Sequence, residues 1–198
     1  MLQMSLFAPP DGLGDNWTPD DWQTPTSIAD RMANLLTVDD ESILEPCAGI
    51  GQIAAQLPTH AIANELNPGR YRVGCDRVPH LRWLNLDFIN DNIPGQYDVI
   101  ITNPPFSLAC EFIRKSLTLL NPGNPNARLL FLLPLDWNCP QGRASQWEAM
   151  NAHIHHVYRI KGRVAYLDAA GIAQSRRQCS DAVFDIRPGK LGAAVSYL

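Results

Sequence analysis

The chain has 198 residues, is 45% apolar and 18% charged, and carries a net charge of −4. That length holds one α/β domain with a full core and falls short of two ordinary ones. No run of eighteen apolar residues is present, and the five cysteines (Cys47, Cys75, Cys110, Cys139, Cys179) form no CxxC pair. A membrane-spanning helix and a cysteine zinc site are thereby excluded, and a reduced compartment is expected.

Residues 1–21 are rich in Pro, Gly and Asp without periodicity and read as a loose N-terminal arm; residues 22–198 read as a single catalytic domain. The first seven residues lack a basic region and a long apolar stretch, so no secretory signal is expected and a cytoplasmic location is. Thr24 then has the chemistry of an N-cap and Pro25 that of a first helical residue. Ile28, Ala29, Met32 and Leu35-Leu36 supply the apolar face, and the helix should end before Asp39-Asp40.

Ile43-Leu44 opens a short strand that runs into Glu45-Pro46-Cys47-Ala48-Gly49-Ile50-Gly51, with a short helix expected over 52–57. Glycines at a strand-to-helix turn let a ligand approach the backbone. Cys47 reads as chosen for its small size, with no redox chemistry. The strand predicted over 60–66 ends in Glu65, where a carboxylate can accept two hydrogen bonds from a ribose diol. A brief helix or turn follows over 67–73, then a third strand over 81–86 closed by Asp87-Phe88.

The run Tyr97-Asp98-Val99-Ile100-Ile101-Thr102 reads as a buried strand, and Asn103-Pro104-Pro105-Phe106 stops it abruptly. Proline has no N–H and a fixed φ, so the turn is stiff and extended. It can set the Asn103 side chain and the Pro104 carbonyl side by side as acceptors, with the flat face of Phe106 next to them. Two acceptors beside an aromatic plane suit a planar base or amide carrying an –NH2 group.

An amphipathic helix is predicted over 107–120 and a buried strand over 128–135. A helix over 142–152, a strand over 156–160, a long loop over 161–180 and an alternating strand over 181–186 complete the chain. His153, His155 and His156 have no paired ligand motif, and no metal is expected. Residues 1–139 hold eight Lys/Arg against sixteen Asp/Glu, whereas residues 140–198 hold eight against four. A basic final third on an acidic body could face a polyanion. Alternation of strand and helix without a repeat implies a mainly parallel sheet flanked by helices.

Taken in order, Trp22-Gln23-Thr24-Pro25, the Glu45–Gly51 motif, Glu65, Asp87-Phe88 and Asn103-Pro104-Pro105-Phe106 resemble the S-adenosylmethionine-dependent amino-methyltransferases. Among these they are most similar to the DNA adenine-N6 methyltransferases, and the final third is faintly like the small phage- and plasmid-type members. The resemblance covers residues 22–106. It implies a Rossmann-like class I fold with a seven-stranded, mainly parallel sheet, and S-adenosylmethionine as cofactor.

The cofactor-binding set implied is Gln23, Thr24, Pro25, Glu45, Pro46, Ala48, Gly49, Gly51, Glu65, Asp87 and Phe88. Thr24-Pro25 would lie near the cofactor carboxylate, Gly49 and Gly51 beside its methionine part, Glu65 on the ribose and Asp87-Phe88 on the adenine. The catalytic set implied is Asn103, Pro104, Pro105 and Phe106, acting on a base flipped out of DNA. Related Asn-Pro-Pro enzymes also act on RNA bases and on protein glutamine amides, and a non-catalytic cofactor-binding module is a further alternative. With no separate sequence-reading domain in view, Arg143, Arg163 and Arg176 are expected to contact the nucleic acid.

Overall fold

The computed structural model describes residues 22–139, 142–168 and 180–189. The N-terminal arm, Arg176 and most of the long loop lie outside the described residues. Helix α1 (Thr26–Ala33) leads to β1 (Ile43–Glu45), β2 (Ile62–Asn64), α2 (Pro68–Arg77), β3 (Arg82–Leu84) and β4 (Val99–Thr102). Then come α3 (Ala109–Leu119), β5 (Arg128–Pro134), α4 (Arg143–Met150), β6 (Ala152–Arg159) and β7 (Asp181–Pro188). The seven strands form one sheet in the order β3-β2-β1-β4-β5-β7-β6.

The first five strands are parallel, and β7 runs antiparallel to both β5 and β6. Alternate residues of the central strands face opposite layers. Leu44, Ile100, Leu129, Phe131 and Leu133 pack with Phe112 and Ile113 of α3 on one face. Ile43, Val99, Ile101, Leu130 and Leu132 pack with Ile28, Ala29 and Met32 of α1 on the other. Strands covered on both faces explain why these segments are apolar throughout rather than alternating.

A buried ion pair joins the layers: the Arg128 guanidinium donates to both Asp40 oxygens at 2.8 Å and to the Leu35 carbonyl at 3.1 Å. The pair clamps the segment after α1 to the start of β5. Removing one partner of such a pair costs about 3–5 kcal/mol, because the other charge is left buried and unpaired.

Several boundaries differ from expectation. Pro25, not Thr24, takes the N-cap position of α1, and no side chain caps that helix. Thr24 is spent on the cavity described below. The helix expected over 52–57 is a single 3-10 turn, Ala54–Gln56. A second 3-10 turn, Phe106–Leu108, precedes α3, because the two prolines hold the chain extended until then. Strand β6 begins at Ala152, four residues early, since pairing with β7 rather than local pattern sets its length. Among the described residues, no helix is long and apolar enough to cross a membrane.

Candidate functional site

Strand order reverses at β1, with β2 on one side and β4 on the other, so a cleft opens over the carboxyl ends of β1 and β4. A cavity of about 810 Å³ occupies it. Its walls are the loops after β1, β2, β3 and β4, closed by Trp22, Gln23 and Thr24 from the segment before α1. One residue latches three of these loops. Asn64, fully buried, donates to the Pro46 and Leu86 carbonyls at 3.0 and 3.1 Å and accepts from the Leu86 amide at 3.1 Å.

After β1 the chain turns through Gly49 at φ +56°. A side chain there would run into the Gln23 carboxamide, whose oxygen instead accepts from the Ile50 amide at 3.1 Å. The second glycine has another task. Gly51 (φ +85°) does not line the cavity; a Cβ there would meet Val78 at 3.0 Å, so it packs the turn against the core. Pro25 is likewise absent from the wall, while Thr24, Pro46 and Ala48 line it.

Two buried acids flank the glycine turn. Glu65 accepts from the Gly49 amide and from the Asn67 amide, each at 2.8 Å, and Arg70 stands 3.8 Å away. These bonds fix the carboxylate rotamer at the cavity wall. Glu45 has one oxygen, Oε2, buried without a hydrogen-bond partner. Its carboxyl is held well above the usual range, chiefly by burial and then by the charge of Glu65, with the Ala54 amide opposing.

After β3, Asp87 lines the cavity but is engaged in its own turn. It accepts from the Ile89 amide at 3.0 Å, the Asn90 amide at 3.1 Å and the Asn90 side chain at 2.9 Å. The Asn90 side-chain bond is the largest cause that lowers its pKa, against a smaller opposing contribution from burial. Phe88 is 3% exposed and stacks on Phe112 with centroids 5.0 Å apart, so its ring belongs to the core as well as to the wall.

After β4, Asn103 lines the cavity and its side-chain oxygen Oδ1 is buried with no hydrogen-bond partner. The Asn103 backbone carbonyl accepts from the Cys47 thiol at 3.4 Å. Pro105 lines the cavity, and Pro104, beside it in the chain, is buried. Phe106 stands beside the wall rather than in it, with its ring 6.5 Å from Tyr166 at 73°. Tyr166 also packs against Trp22 at 6.1 Å, and Leu167 pairs with Gln23 through bonds of 2.8 and 2.9 Å.

The expected nucleic-acid contacts divide. Arg143 lies 3.9 Å over the Trp137 ring and donates to Gln146 at 2.6 Å and to the Cys110 thiol. It is a fixed joint between α3 and α4 rather than a free cation. Arg163 is exposed. The His153 Nδ1–H donates to the Gly189 carbonyl, 2.8 Å away, and among the described residues no group of metal ligands converges.

Arg70, Asn64 and Glu111 line the cavity without having been anticipated. Asn67-Pro68, an N-cap followed by a first-turn proline, was the signal that a helix, and hence Arg70, starts beside Glu65. Asn64 lies inside a strand and carries no such local mark.

No family model matches the chain. It is 36% identical over 84 residues to the type II methyltransferases M.HincII and M.HindII of Haemophilus influenzae. The match covers 42% of this chain and only 16% of each of those proteins. Among solved structures, the candidate RNA methyltransferase PH1948 from Pyrococcus horikoshii superposes with a TM-score of 0.68 at 12% identity, over 89% of this chain and 92% of that one. A TehB-like S-adenosylmethionine-dependent methyltransferase from Corynebacterium glutamicum gives a TM-score of 0.57 at 14% identity, covering 82% and 87%. The fold is that of the class I S-adenosylmethionine-dependent methyltransferases.

Solved structures of this fold include S-adenosylmethionine-dependent methyltransferases, and the residues of the cleft here fit that cofactor. The orphaned Glu45 oxygen can receive a donor, the Gly49 turn leaves backbone open to a ligand, and Glu65 is fixed at the wall. Four acids, Glu45, Glu65, Asp87 and Glu111, line the cavity with one cation, Arg70, a balance that favours a ligand carrying positive charge.

Proposed function

We propose that this chain binds S-adenosylmethionine and methylates the exocyclic N6 amino group of adenine in DNA. The observation that carries the reading is the Asn103 side-chain oxygen, which is buried, unpartnered and part of the cavity wall. An orphaned acceptor costs about 1–3 kcal/mol unless a ligand supplies the missing donor. An amino group does so.

When bound, the cofactor supplies an electrophilic methyl group on a positively charged sulfur. The chain's own residues do the rest. Asn103 Oδ1 and the Pro104 carbonyl accept from the two amino hydrogens, which draws the nitrogen towards tetrahedral geometry and aims its lone pair along the line of transfer. No strong base would be needed: as the carbon–nitrogen bond formed, the bond from that carbon to sulfur would break and leave the sulfur neutral, and the surplus proton would pass from the nitrogen to water. Holding the reactants in line at near-attack distance supplies much of the rate.

Glu65 holds the ribose diol, Gly49 and Thr24 admit the methionine part, and Asp87 with Phe88 frames the adenine. The ring of Phe106 stacks on the acceptor base, with Tyr166 at its edge as backing. A base in a duplex reaches such a pocket only when flipped out of the stack, and aromatic stacking offsets part of the few kcal/mol this costs. The similarity to M.HincII covers 84 residues, 42% of this chain and 16% of that protein, so the acceptor needs a direct test.

The test is transfer of labelled methyl from the cofactor to duplex DNA, duplex RNA and protein in parallel, with the modified nucleoside identified after digestion. N6-methyladenine in DNA alone is expected. Asn103→Ala should keep cofactor affinity and lose transfer by about a hundredfold or more. Label confined to RNA or protein overturns the DNA reading.

A further inference from the structure

The sheet directions place one cationic surface on the catalytic edge. Strand β5 is parallel to β4 and β1, β7 is antiparallel to β5, and β6 is antiparallel to β7. Strand β6 therefore points the same way as β1 and β4, and its carboxyl end emerges on the edge where the cavity opens. It is also the outermost strand, with no neighbour beyond it among the described residues.

That end is basic and exposed. Tyr158, Arg159, Lys161 and Arg163 are all exposed, and no Asp or Glu occurs between Glu148 and Asp168. Three arginines elsewhere stand by carboxylates: Arg70 by Glu65, Arg128 by Asp40 and Arg187 by Asp185. Among the described residues, Arg159, Lys161 and Arg163 pair with no carboxylate.

From there the chain goes straight to the site. Val164 and Tyr166 turn inward, Tyr166 packs on Phe106, and Leu167 bonds to Gln23 of the cavity wall. Three residues span at most about 10 Å, so Arg163 lies within that reach of Tyr166. Three acids of the cavity wall, Glu65, Asp87 and Glu111, repel phosphate, against a single lining cation, Arg70. A polyanionic substrate needs compensating charge just outside, and this strip supplies it.

We propose that Arg159, Lys161 and Arg163, with Tyr158 beside them, form the track that holds the phosphate backbone of duplex DNA next to the flipped base. The inference rests on the proposed DNA reading and deepens it. It also moves the nucleic-acid contacts away from Arg143, which is committed to Trp137 and Gln146.

The experiment uses the full chain and the triple variant Arg159→Gln/Lys161→Gln/Arg163→Gln, with Arg31→Gln, at an exposed position of α1, as a surface control. Binding of a labelled DNA duplex is measured between 50 and 200 mM salt, which is about the range where such contacts dominate. Each phosphate contact adds about 0.9 to the slope of log affinity against log salt, so the triple variant should lose about 2 to 3 from that slope and about tenfold or more in affinity. Its melting temperature and cofactor affinity should match those of the parent, which separates lost contact from misfolding.

An unchanged slope and affinity in the triple variant, with the parent binding and methylating DNA, overturns the track alone. A parent that neither binds nor methylates DNA overturns the DNA reading, and the track with it. Tighter, strip-dependent binding of an RNA duplex of the same sequence overturns the choice of DNA.

Discussion

The Cys47 thiol donates to the backbone carbonyl of Asn103 at 3.4 Å, across 56 residues of chain. The bond ties the cofactor loop to the acceptor turn. Because Pro104 has no N–H, the Asn103–Pro104 peptide offers only its carbonyl as a handle, and the thiol holds it. Burial, then the charges of Glu65 and Glu45, push this thiol up, so it stays protonated and remains a donor.

Cys47→Ala should therefore lower kcat while leaving cofactor affinity unchanged. A hydrogen bond worth about 0.5–1.5 kcal/mol corresponds to roughly a 2- to 12-fold loss. Cys47→Ser, which keeps a donor, should recover most of it. Equal activity in all three proteins would reduce Cys47 to a small residue that merely fits.

Glu45 gives a pH signature. Its folded-state pKa is raised, so over the window between the ordinary carboxylate range and that raised value the folded protein holds more protons than the unfolded chain. Stability is then greatest on the acid side and falls as pH rises through the window. Glu45→Gln should flatten this fall and raise the melting temperature of the cofactor-free protein near neutrality. Melting curves over a pH series with both proteins check it; parallel curves would show that Glu45 is not the group responsible.

Asp98 acts in the opposite sense. Burial raises its pKa, but hydrogen bonds from Asn124, Asn121 and the Ser42 amide outweigh that and leave it lowered. The stability it contributes is present above the ordinary carboxylate range and is lost as pH falls through its folded-state value. Asp98→Asn should cost about 2 kcal/mol at neutral pH, since bonds to a charged acceptor become bonds to a neutral one. Urea unfolding at neutral and acid pH should show the two proteins converging as pH falls.

Gly49→Ala tests the glycine turn. The substitution strains a φ of +56° and drives a methyl group into the Gln23 carboxamide. Cofactor affinity should fall by about tenfold if pushing Gln23 from the cavity wall costs about 1.4 kcal/mol of binding, and the left-handed strain should lower stability by roughly 1–2 kcal/mol. Gly51→Ala should instead lower the melting temperature with less effect on affinity, because Gly51 faces Val78 rather than the cavity. Calorimetric titration with the cofactor, read beside thermal melting, distinguishes the two.

Local chemistry was enough to read the alternation of strands and helices and the strand ends that carry acids, glycines or the diproline turn. Apolar runs such as residues 97–102 and 128–135 and breakers such as Pro104-Pro105 act within a few residues of themselves, so they are legible without a fold. What lies between distant segments was not. Asn64 bracing two other loops, Cys47 gripping Asn103, Gly51 turned from the ligand, and Arg143 stacked on Trp137 all depend on partners that only sheet order brings together. The direction of β6 is of the same kind: its register with β7, not its own residues, carries Arg159 to the edge where Asn103 stands.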